Sequence, residues 1–100
     1  MKIIAFERES PGITAGEFSP YLKAEAAKVW ELYQSGMARE LYFRQDQSTA
    51  VLVLECSSLA EARSVLSELP LVQAGLIEFD LVPLRPYPGF ARLFKASDRE

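Results

Sequence analysis

Val51 to Leu54 read VLVL inside the run TAVLVLEC of residues 49 to 56. Successive strand residues point to opposite faces, so this strand is apolar on both and belongs in the middle of a sheet that is covered on each side. Few chains of this length can satisfy that demand alone. The polar stretch of residues 45–48 ahead of it, and the strand-like run of residues 37–44 before that, predict a hairpin leading into it.

The remaining elements fall around that strand. KIIAFERE, residues 2–9, predicts a first strand with Ile4, Phe6 and Arg8 on one face and Ile3, Ala5 and Glu7 on the other, ended by Pro11 and Gly12. A long helix follows. It opens either at Thr14, with Glu17 three residues on, or at Ser19 with Pro20 in the first turn. Phe18, Leu22, Ala26, Val29, Trp30 and Tyr33 recur at spacings of three and four and predict its buried stripe, which puts Trp30 in the core. Lys23, Glu25, Lys28 and Glu31 fall largely off that stripe, and Gly36 stops the helix. Ser58 and Glu61 form a capping pair for a second helix, with Leu59, Ala62, Val65, Leu66 and Leu69 inward until Pro70 ends it.

LIEFDLVPL, residues 76–84, is the last strand. The order βαββαβ, without an internal repeat, predicts an α+β fold of ferredoxin-like type. One antiparallel four-stranded sheet has its first and third strands central and its second and fourth at the edges. At 100 residues the chain is a single domain. Residues 83–100, Pro-stiffened and aromatic in PLRPYPGF, are expected to leave the domain as an arm reaching a neighbouring subunit.

Charge narrows the partners. A net charge of −3 with scattered arginines lacks the basic stripe that neutralises phosphates, so nucleic acid is not expected. The apolar run near the start is too short for a leader or a membrane span, and with the single cysteine Cys56 no internal disulfide forms; a reducing cytoplasm is the expected location. Cys56 is expected to be structural, since no base neighbours it in sequence.

GMAREL at residues 36–41, LPL at residues 69–71, and IEFD at residues 77–80 followed by Arg85 and Pro86 resemble muconolactone isomerase, with similarity from the first helix through Pro86. The resemblance implies a dimeric α/β barrel, in which two such sheets face each other with the helices outside, and further assembly of the dimers. It also implies a cofactor-free and metal-free isomerase that moves a proton within a small anionic lactone or related acid. Glu40 stands where the family enzymes carry a histidine, and this chain has none.

The candidate site residues follow from chemistry. Glu78 and Asp80 alternate onto one face of the last strand, and either could serve as the base that lifts a proton beside a carbonyl. Alternatively they guard a sheet edge against stray pairing. Arg39 either holds a substrate carboxylate or bridges to Glu78 or Asp80 across the sheet. Tyr33, Tyr42 and Trp30 are candidates to line a cleft between the long helix and the sheet, where a phenol could donate to an enolate. Other functions compatible with the fold are a cofactorless monooxygenase and a non-catalytic small-molecule binding or oligomeric module. A haem-degrading role lacks its axial histidine.

Overall fold

The computed structural model describes residues 1–94. Strands β1 (Lys2–Glu9), β2 (Ala38–Phe43), β3 (Ala50–Glu55) and β4 (Ile77–Pro83) form one antiparallel sheet in the order β2-β3-β1-β4. The expected ferredoxin-like arrangement is therefore present, with VLVL in a central strand and IEFD at an edge. Helices α1 (Ala15–Phe18), α2 (Leu22–Gln34), α3 (Leu59–Leu66) and α4 (Pro70–Gln73) supply the connections.

The core lies between the helices and one sheet face. Ile3 and Ala5 of β1, Leu52 and Leu54 of β3, Ala38 of β2, Leu32 of α2, and Ala62 and Leu66 of α3 form one buried cluster. On β1 the odd positions point to the helices and the even ones away, as the alternation predicts. The other face carries Ile4, Phe6 and Arg8 of β1 with Val53 of β3 and Val82 of β4. Phe6 and Val82 are exposed there.

Two helix boundaries differ from expectation. Both proposed starts of the long helix are used. Glu17 Oε1 accepts from the Thr14 N–H at 3.5 Å and its hydroxyl at 3.3 Å around α1, and Pro20 sits in a 3₁₀ turn, Ser19–Tyr21, that leads into α2. Pro70 does not merely end a helix; it occupies the first turn of α4, where its missing N–H is harmless. Gly36, at φ +84°, turns the chain out of α2 into β2 as expected.

The buried stripe of α2 is rotated from the expected one. Leu32 is buried and Glu25, Lys28 and Val29 are half-buried, whereas Leu22, Trp30 and Tyr33 are exposed, Trp30 by 57%. Trp30 is not in the core; its ring stacks on Tyr33 with centroids 5.8 Å apart. Spacing alone cannot separate these two stripes, because Val29 belongs to both and the large aromatics outweigh Leu32 in any hydrophobic count. Lys28 is tolerated on the inner side because its ammonium reaches Glu31 and Glu68, each at 3.4 Å, tying α2 to the end of α3.

On α3 Ser58 and Glu61 each cap a backbone N–H, Glu61 that of Ser57 rather than that of Ser58. The Glu61 N–H donates to Ser58 Oγ at 3.0 Å, and Glu61 Oε1 accepts from the Ser57 N–H at 2.8 Å. Ser58→Ala is expected to cost about 1 kcal/mol, read as a lower urea midpoint with an unchanged slope.

After Pro83 the chain leaves the domain. Leu84, Tyr87, Phe90, Leu93 and Phe94 are all exposed, and a 3₁₀ turn at Gly89–Leu93 sets Phe90 edge-on against Tyr87, centroids 5.1 Å apart. The molecule is consequently 60 Å long with a radius of gyration of 17.2 Å, against ~13 Å for a compact 100-residue domain. Residues 95–100 of the expected arm lie outside the described residues.

Candidate functional site

The side chains of α2 do not fill the space above the sheet. Between α2, α4 and the helix-facing side of β1, β2 and β3 lies a cavity of about 430 Å³. Leu22, Ala26 and Val29 form one wall, Leu41, Ala50 and Leu52 the sheet floor, and Leu69, Leu71 and Phe79 the far side. Tyr42 and Phe43, exposed on edge strand β2, stand at its mouth. A space of this size, mostly apolar with few polar groups, has the proportions of a small-molecule site.

Two carboxylates enter this cavity, and each is fixed by a backbone N–H. The paired register of β1 with β3 ends at Phe6↔Val51. Glu7 is the next residue, and its Oε1 accepts from the Ala50 N–H at 3.0 Å where the ladder has stopped. Glu25, in the first turn of α2, accepts from the Leu71 N–H at 2.9 Å, satisfying one of the orphan donors at the start of α4. Burial pushes both carboxyls above their ordinary range, against the opposing pull of those N–H groups. Glu7 is raised further by the charges of Glu9 and Glu25.

The site residues expected from sequence are distributed otherwise. Glu78 and Asp80 lie on the sheet face turned away from the helices, both paired to Arg8: Glu78 at 2.9 Å, Asp80 at 3.2 Å. Arg8 stands directly opposite Glu78 in the β1–β4 register. Exposed pairs of this kind contribute little to stability. Arg39 does not bridge to them. β2 and β4 are opposite edges of the sheet, three strand spacings or roughly 14 Å apart, and the Arg39 guanidinium instead donates to the Gly36 carbonyl at the end of α2.

Of the three aromatics, only Tyr42 borders the cavity. Its hydroxyl donates to Glu40 Oε1 at 2.7 Å, and that bond raises the phenol above its usual range. Tyr33 and Trp30 stack on each other outside the cavity. Cys56 is buried in the core with its thiol pushed up by desolvation, as a structural cysteine should be.

Glu7 and Glu25 are absent from the residues singled out by sequence, yet each carries a signal. Glu7 shares the face of Ile3 and Ala5, so the alternation already aims a carboxylate at the core. Glu25 precedes Val29 and Leu32 by four and seven, which places it on the inner stripe once Leu32 anchors that stripe.

No protein-family model matches the chain, and no curated protein matches it. Among solved structures it is similar to 5-chloro-2-hydroxyhydroquinone dehydrochlorinase (TftG) from Burkholderia phenoliruptrix AC1100, in complex with 2,5-dihydroxybenzoquinone. The TM-score is 0.69 at 17% identity, over 85% of this chain and 94% of that one. At such identity the likeness establishes the fold, a small α+β domain of the same architecture, and nothing finer. Among the described residues no helix is long and apolar enough to cross a membrane.

Proposed function

We propose that the chain binds a small carbonyl compound in the cavity between α2 and the sheet and moves a proton on it, an isomerase- or lyase-like reaction without a cofactor. The observation that carries this reading is the presence of two half-buried, N–H-anchored carboxylates in an otherwise apolar cavity. Burial of both carboxyls favours a pair with one ionised and one protonated over two ionised groups, and that is the pairing acid–base chemistry needs. The ionised carboxylate takes a proton from the carbon beside the carbonyl. The freed electron pair moves into a C=C–O⁻ enolate, whose oxygen accepts a hydrogen bond from the protonated partner. Where a second C=C adjoins the carbon that loses the proton, the enolate extends to a dienolate, and return of the proton at its far carbon completes an isomerisation with no net oxidation.

This reading transfers the base from Glu78 and Asp80, which face away from the cavity, to Glu7 and Glu25. The anionic lactone implied by the resemblance to muconolactone isomerase is one carbonyl compound to test, and 2-tetralone is an uncharged one. The test is deuterium incorporation into muconolactone and into 2-tetralone, followed by proton NMR in heavy water. The protein is expected to accelerate exchange of at least one, and Ala26→Trp, which fills the cavity from α2, is expected to abolish the acceleration. Acceleration that survives this variant would place the chemistry elsewhere.

The assembly belongs to the same proposal. An apolar sheet face with Phe6 and Val82 exposed, and an arm with Tyr87, Phe90 and Phe94 bare to water, are both expected to be covered by a second copy of this chain. Removing residues 84–100 is expected to weaken self-association at least tenfold, measured by sedimentation velocity over a concentration series. An unchanged distribution of species would show that the arm has no part in assembly.

A further inference from the structure

We infer that the cavity between α2 and the sheet accepts an uncharged carbonyl compound and rejects a ligand that carries a carboxylate. The inference rests on the reading of that cavity as the ligand site and decides the charge class left open there. Among the described residues, the only charged groups lining the cavity are Glu7 and Glu25, and neither lysine nor arginine lines it.

Four cations of neighbouring elements are committed elsewhere, and Lys23 lies on the solvent side of α2. Lys28, one turn along α2 from Glu25, is held between Glu31 and Glu68. Arg39 donates to the Gly36 carbonyl, and Arg44, beyond Phe43 at the mouth, is bound by Asp46 through both nitrogens of its fork. Arg8 is paired with Glu78 and Asp80 on the other side of the sheet. A carboxylate entering the cavity would therefore lose its water, gain no counter-ion, and meet the ionised member of the acidic pair.

A cationic ligand fits less well for a different reason. The pair offers one ionised carboxylate that already spends an acceptor on a backbone N–H, which leaves little to reward an ammonium group for losing its own water. An uncharged carbonyl compound loses little on entry. Its body packs on Val29, Leu52, Leu71 and Phe79, and its oxygen accepts from whichever carboxyl is protonated.

Three naphthalenes of similar size separate these cases: 2-acetylnaphthalene, 2-naphthoate and 2-naphthylmethylamine, titrated calorimetrically against the full-length protein at pH 7.5. The ketone is expected to bind at least about 30-fold more tightly than the carboxylate. In Glu7→Gln/Glu25→Gln the carboxylate gains and the gap closes to about threefold, while Ala26→Trp removes binding of the ketone. Naphthoate binding as tightly as the ketone, or the amine binding most tightly, overturns the inference. Failure of all three to bind overturns the cavity reading and the inference with it. Binding of the ketone in the expected order without any proton exchange overturns only the proposed chemistry.

Discussion

Truncation of Leu54 to alanine is expected to remove about 3 kcal/mol of stability, within the range of ~2 to 5 kcal/mol found for buried leucines. Leu54 is fully buried on central strand β3, directly opposite Ile3 of β1 and Ala38 of β2, with Ala62 and Leu66 in the same cluster. Neighbours from two flanking strands and a helix cannot all close on the space it leaves, so much of the cavity persists. A domain of this size is stable by only ~5 to 15 kcal/mol in total, and the loss corresponds to a Tm lower by on the order of 15 °C. Lys23→Ala, on the solvent side of α2, is expected to change stability by no more than ~0.5 kcal/mol. Thermal melts of the two variants beside the parent check both values.

Glu7→Gln and Glu25→Gln are expected each to lower the rate of proton exchange at least ~100-fold, because an amide can neither accept the proton nor return it. Both variants keep the acceptor oxygen for the Ala50 or Leu71 N–H, so the fold is retained. Their stability should even improve at high pH, and the sign follows from linkage. The folded-state pKa of each carboxyl is raised, so between the ordinary carboxylate value and that raised value the folded chain binds more protons than the unfolded one. Stability contributed by the neutral carboxyl is present below that window and is lost as pH rises through it. At pH 8 each glutamine variant is therefore expected to be more stable than the parent, and at pH 4 to show little or no gain. Urea midpoints at the two pH values supply the comparison. A glutamine variant less stable than the parent at pH 8 would mean that the ionised carboxylate is a net stabiliser, contrary to its burial.

The fold was legible from the chain because its strands speak through alternation. VLVL demands a central position, the odd residues of KIIAFERE mark the helix-facing side, and IEFD with its two carboxylates reads as an edge. The candidate site was less legible. A helix stripe that includes Val29 admits two rotations, and only packing against the sheet selects the one with Leu32 in and Trp30 out. Ion pairs across a sheet follow strand order; the expected order already set β2 and β4 at opposite edges, and Arg8 rather than Arg39 meets Glu78 and Asp80 because β1 is the neighbour of β4. The same carboxylates that look poised for chemistry in sequence are thereby neutralised on the far face. Glu7, unremarked in the chain, occupies the position where the β1–β3 ladder ends and a side chain must complete it.

The cavity between α2 and the sheet is the expected place of a small molecule, and methyl-selective NMR tests that placement directly. On titration with 2-acetylnaphthalene the methyl signals of Leu22, Val29, Leu52 and Leu71 are expected to shift together along one binding curve, with Val53 and Val82 unmoved. Shifts confined to Val53 and Val82, on the sheet face that carries Arg8, Glu78 and Asp80, would contradict it.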